Sequence, residues 1–87
     1  MLLPSPSKFT RCRVCGYDYA PDFFPWGETG NSPTFEICQG CGVEFGYSDT
    51  NLEGIIAYRQ HYLEGLSLQR QSKVEADIAN LPAQFKL

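Results

Sequence analysis

The sequence predicts a small metal-bound α+β domain, a zinc ribbon of two cysteine turns and short antiparallel strands followed by one or two C-terminal helices. Three observations predict it. The four cysteines fall into two matching turns, Cys12-Arg13-Val14-Cys15-Gly16 and Cys38-Gln39-Gly40-Cys41-Gly42. Polar and apolar residues alternate on both sides of the second turn, a strand pattern. After Ser48-Asp49 the apolar residues recur at helical spacing instead.

Along the chain, residues 1 to 8 are rich in Pro and Ser and predict a loose lead-in. Phe9 to Tyr19 reads as two short extended pieces joined by the first cysteine turn. Residues 20 to 33 hold prolines, glycines and Asn31-Ser32, the composition of an irregular loop. Thr34-Phe35-Glu36-Ile37 predicts a strand with Phe35 and Ile37 on one side, and Val43-Glu44-Phe45-Gly46-Tyr47 a strand returning from the metal. Tyr17, Tyr19, Phe45 and Tyr47 are expected in the core between ribbon and helix. No internal repeat is visible beyond the two cysteine turns.

Leu52, Ile55, Ile56, Tyr62, Leu63 and Leu66 form the apolar stripe of a helix over about residues 51 to 65, ending near Gly65. Thr50 with Glu53 three residues on has the form of a capping box, in which each side chain satisfies an otherwise unpaired backbone amide. A second helix is expected from Ser72, with Glu75 three residues on, Val74, Ile78 and Leu81 as its stripe, and a stop before Pro82. The expected organisation is a flexible lead-in over 1–8, a ribbon over 9–49, and a helical extension over 50–87 packed on the ribbon, one domain overall.

A chain of 87 residues is near the size at which a hydrophobic core alone supplies only a few kcal/mol and a staple is needed. A structural tetrathiolate zinc site contributes roughly 10–16 kcal/mol of apparent binding energy at neutral pH, so losing the metal should unfold at least the ribbon. Met1-Leu2-Leu3-Pro4-Ser5-Pro6 lacks the basic and apolar runs of a signal peptide, and the chain is read as cytoplasmic. In that compartment closely spaced cysteine pairs favour a metal over disulfides.

The Cys-x-x-Cys spacing aims both sulfurs at one ion, and the glycine after each pair suits a chain that needs positive φ. Two pairs separated by 22 residues therefore supply the ligands Cys12, Cys15, Cys38 and Cys41 of a closed tetrahedral site. Closure argues against zinc catalysis, because no position remains for water. His61, the single histidine, falls within the predicted helix and is read as a packed or surface residue. No other catalytic set can be assembled from the remaining residues, so no enzyme is expected.

The formal net charge is −3; four thiolates and one divalent ion take it to −5, which disfavours a phosphate-binding surface. Lys8, Arg11 and Arg13 flank the first pair and are expected to compensate the anionic cluster rather than contact nucleic acid. Phe23-Phe24-Pro25-Trp26-Gly27 is either an anchor for a partner or a roof over the ribbon, and the roof is favoured. Asp18, Asp22, Glu28, Glu44, Asp49 and Glu53 could face a basic partner, though ordinary solvated charge is the simpler role for each.

The run Cys12-Arg13-Val14-Cys15-Gly16-Tyr17-Asp18-Tyr19 together with Cys38-Gln39-Gly40-Cys41-Gly42 resembles the two knuckles of rubredoxin, an iron tetrathiolate electron carrier. With Phe35-Glu36-Ile37-Cys38 and Glu44-Phe45-Gly46-Tyr47-Ser48-Asp49, the stretch from Cys12 to Asp49 resembles more closely the small bacterial cysteine-rich proteins of the CPCC type. That resemblance implies a zinc ribbon and transfers no activity. Gln39 stands where rubredoxin usually has proline, and Arg13-Val14 stands where the CPCC pattern has Pro-Cys.

The expected function is a non-enzymatic zinc-binding module that recognises another protein through the aromatic loop, the acidic face or the first helix. An iron electron carrier and a nucleic-acid-associated ribbon are the alternatives. A protein partner is expected and a membrane is not.

Overall fold

The computed structural model describes residues 7–86; of the lead-in expected over residues 1–8, the first six lie outside them and Ser7 and Lys8 belong to a helical turn. A single helical turn, α1 (Ser7–Thr10), opens the described chain. It is followed by the two cysteine turns, the helices α2 (Leu52–Glu64) and α3 (Leu68–Ile78), and a 3-10 turn over Ala83–Phe85. Thr10 is fully buried and its hydroxyl donates to Asp18 Oδ1 at 2.9 Å, so the chain is already packed one residue after Phe9.

The expected strands over 34–37 and 43–47 are absent among the described residues. Each cysteine turn is closed instead by one isolated antiparallel bridge, Arg11 with Asp18 and Ile37 with Glu44. Backbone geometry explains why pairing stops there. Phe35 adopts φ 62°, outside the extended region, and Gly46 follows at φ 98°, so the run is broken on both sides of the bridge. The alternation of Phe35 and Ile37 therefore does not point inward: they are 61% and 59% exposed.

The two turns repeat more of the chain than the cysteines alone. Cys12 N–H donates to Tyr17 O, Gly16 N–H to Cys12 O and Tyr19 N–H to Thr10 O; the same three bonds recur from Cys38 to Val43, Gly42 to Cys38 and Phe45 to Glu36. Residues 10–19 and 36–45 thus repeat one main-chain unit, with Arg11 and Ile37, and Asp18 and Glu44, at equivalent places. Side chains diverge between the copies while the main-chain bonds do not, which is why the sequence showed only its cysteines and glycines as repeated.

Helix α2 begins at Asn51, whose side chain accepts from Gly54 N–H at 2.8 Å, rather than at the expected Thr50–Glu53 box. Helix α3 begins at Ser67, five residues before the expected Ser72. Its first residue, Leu68, is exposed, so the apolar pattern could not mark that end. Gln71 Nε2 also donates to Leu63 O and Leu66 O, tying the start of α3 to the chain that leaves α2. The expected stripe of Val74, Ile78 and Leu81 is buried, and α3 stops before Pro82 as expected.

The core lies between the turns and the helices, where Val14, Val43, Phe45, Ile55, Val74, Ile78 and Leu81 pack with the cysteines. Tyr19 joins its edge, but Tyr17 and Tyr47, expected inside, face solvent, Tyr47 at 76% exposure. The loop over 20–33 is irregular and folds back over this core. Phe23 meets Tyr19 and Phe45 with ring centroids 5.1 and 6.2 Å apart, and Pro25 is fully buried. Trp26 Nε1 donates to Asp49 Oδ2 at 2.8 Å while the Arg13 guanidinium lies 3.7 Å above its ring. The aromatic loop is a roof.

Candidate metal centre

The equivalent turns face each other across the four sulfurs. Cys12 Sγ lies 3.7 Å from Cys41 Sγ, Cys15 Sγ 3.7 Å from Cys38 Sγ, and all four lie within 4.8 Å of one another. A tetrahedral ion with metal–sulfur bonds of about 2.3 Å needs sulfurs about 3.8 Å apart. The cysteines are free thiols, and the set could hold one metal ion. Among the described residues it is the one such group, and His61 lies outside it, exposed on α2.

Short donors converge on the sulfurs from within each turn. Val14 N–H points at Cys12 Sγ (3.4 Å) and Gly40 N–H at Cys38 Sγ (3.3 Å), the same contact in both copies. Tyr19 Oη donates to Cys38 Sγ at 3.3 Å and accepts from Gln39 N–H at 2.8 Å, so its phenol is oriented by the backbone next to the ligand it serves. On the far side, Tyr58 Oη donates to Cys41 O (3.3 Å) and Tyr62 Oη to Gly40 O (3.0 Å). One turn of α2 separates these tyrosines, which hold the second cysteine turn against the helix.

Charge explains why a cation belongs here. Burial, and then the neighbouring thiols, push the Cys12 thiol well up, whereas hydrogen bonds from Cys12, Cys15 and Cys41 pull Cys38 down. Four thiolates this close repel one another unless a metal ion neutralises them, and thiolate is the form that binds metal. Tyr19 is raised above the ordinary phenol range by burial and then by its bond to Cys38; Tyr58 and Tyr62 are raised by burial and then by the nearby sulfurs.

The cation nearest in effect to the sulfurs was not among those expected. Arg11 is held by Asp18 at 3.4 Å and by Gly16 O at 2.9 Å, and Arg13 by Gly30 O, Asp49 O and the rings of Trp26 and Phe85. The side chain of Lys8 lies outside the described residues. Arg59 of α2 is buried instead; burial lowers its pKa, and the charges of Cys12, Cys15 and Cys41 offset part of that cost. It donates to Val14 O and Arg13 O, both at 2.7 Å, and to Phe85 O and Lys86 O. A charged residue four positions after Ile55, on the apolar face of the helix, was the one sequence signal of this role. Asp49, counted with the acidic surface, is also buried, accepting from Gly46 N–H at 2.7 Å and from Trp26.

Three of the four sulfur residues are buried. Cys41 is half-buried and borders a shallow groove with Tyr58, His61, Tyr62 and Leu66. Compared with protein-family models, curated proteins and solved structures, the chain matches none.

Proposed function

We propose that this chain is a non-enzymatic zinc-binding protein of the ribbon type, in keeping with its resemblance to small CPCC-type proteins, and that it serves as a module binding another protein. The observation that carries the reading is the convergence of four sulfurs within 4.8 Å, which would fill every position of a tetrahedral ion with protein. Such a site stabilises and orients its surroundings but leaves no open coordination for substrate. Zinc suits it because a closed tetrathiolate needs no ligand-field preference and no redox change.

The surface favours a protein over a nucleic acid. Arg11 and Arg13 direct their donors inward, and the metal-bound chain is acidic, so the counterion-release term that drives phosphate binding is small. With the aromatic loop serving as a roof, the acidic face near the second turn and α2 are the surfaces that remain. Elemental analysis of protein from its native cells, with partner capture under the same conditions, tests the reading. It predicts one zinc per chain and a protein partner retained after nuclease treatment; a partner lost on nuclease treatment, with RNA or DNA recovered in its place, would reject it.

An iron electron carrier is the second reading. The N–H and O–H donors aimed at Cys12 and Cys38, with Cys41 near the surface, are what an iron–thiolate centre would use to tune and expose its electron. A red native protein with a reversible one-electron couple would establish it, and a colourless one from iron-replete cells would end it.

A further inference from the structure

We propose that the second cysteine turn is a docking site for an arginine side chain of a partner protein, seated over Ile37 between the Glu44 carboxylate and the Gly42 carbonyl. This deepens the module reading above and rests on it. The first copy of the repeat supplies the template. There Arg11 and Asp18 face each other across the bridge, with Arg11 Nη2 3.4 Å from Asp18 Oδ2 and Nη1 donating to Gly16 O at 2.9 Å. One guanidinium thus spans a carboxylate and a carbonyl.

The second copy keeps both acceptors and lacks the cation. Glu44 takes the place of Asp18 and Gly42 that of Gly16, with matching main-chain bonds, while Ile37 stands where Arg11 would be. Among the described residues the ion pairs are Arg11–Asp18 and Lys73–Asp77; Glu44 is exposed without one, and the Gly42 carbonyl accepts no hydrogen bond. Bridged residues place their side chains on one face, about 5 Å apart, so Ile37 offers an apolar bed beside the acid for the aliphatic stem of an incoming arginine.

Two further features point to a protein as the source of that arginine. In this bridge pattern the N–H and C=O of Ile37 face away from Glu44, and neither has a backbone partner among the described residues, so an extended segment can pair with them. Phe35 stands two residues before Ile37, 61% exposed at φ 62°, with its ring over Gly46. A strained, solvent-facing phenylalanine next to an unpaired acid is an apolar contact awaiting a surface. A planar fork matches two separated acceptors; an ammonium, a point charge, does not.

The test is amide-resolved NMR titration of the metal-loaded full chain with blocked Val-Arg-Val peptide and its lysine and citrulline counterparts. Arginine peptide should shift the amides of residues 37 and 42–45 saturably and leave 11 and 16–19 unmoved. Citrulline in the peptide, or Glu44→Gln in the protein, should each weaken binding about tenfold or more. Ile37→Arg should fill the site from within, abolishing peptide binding while raising the melting temperature. Equal affinity for arginine and citrulline peptides, indifference to Glu44→Gln, or shifts centred elsewhere would overturn the proposal, and Glu44-dependent self-association would overturn the foreign partner in favour of a second copy. A native partner bound equally well by the wild type, Glu44→Gln and Ile37→Arg would refute the site and leave the module reading standing. A reversible iron couple with no partner would remove that reading itself.

Discussion

Among the described residues Arg59 has no carboxylate partner, and its donors go to four carbonyls, two in the first cysteine turn and two in the last residues described. Removing it leaves those carbonyls without their charged donor and unties the chain end from the turn. Arg59→Met should cost about 3 kcal/mol in denaturant unfolding of the metal-loaded protein, and Arg59→Lys should recover little, because one ammonium cannot span the same acceptors. The glycines after the cysteine pairs make a second comparison at this scale. Both have positive φ, but a Cβ at Gly16 would lie 2.5 Å from Asp77 C, whereas at Gly42 the nearest atom is Tyr58 Oη at 3.6 Å. Gly42→Ala should cost about 1–2 kcal/mol for the backbone alone. Gly16→Ala adds a backbone clash that only displacement of α3 can relieve, and should lower the melting temperature well beyond the Gly42 change.

The helix starts separate what pattern can and cannot locate. Thr50 and Asn51 are adjacent, and both are capping residue types; the bond to Gly54 N–H comes from Asn51. Asn51→Ala should therefore destabilise by about 1 kcal/mol, while Thr50→Ala should be close to neutral in the same thermal or denaturant melt. The existence and order of α2 and α3 were legible from helical spacing, and so was the buried face of Val74, Ile78 and Leu81, whereas of the stripe expected on α2 only Ile55 is fully buried and Leu52 is exposed. The strands were misread for a physical reason. Alternation over four or five residues assumes an extended chain, and Phe35 and Gly46 leave that conformation on either side of a single bridge.

Across the whole molecule, the candidate metal site and the hydrophobic core are one structure, since Cys12, Cys15 and Cys38 are core members alongside Phe45 and Ile55. Stripping the metal with a strong chelator under reducing conditions should abolish cooperative melting and near-ultraviolet dichroism, and all four cysteines should become open to alkylation at once. Acid should do the same, because protonated thiols release the ion. At the alkaline end the sign follows from the tyrosines. Tyr19, Tyr58 and Tyr62 are raised in the folded protein, so it holds their protons more tightly than the unfolded chain does. Their contribution is intact below the ordinary phenol value of about 10 and is lost as pH rises beyond it. Stability followed by dichroism should fall above about pH 10, with tyrosinate absorbance lagging that of free tyrosine.

The sequence by itself determined the cysteine turns, the spacing that brings four thiols to one point, and the two amphipathic helices, because each depends on neighbours a few residues apart. Tertiary structure alone decided which aromatic residues roof the core, which arginine is buried near the sulfurs, and which acids find a cation. Those outcomes depend on what residues distant along the chain place opposite one another: Trp26 against Asp49, Arg59 against Val14, and, among the described residues, no cation against Glu44.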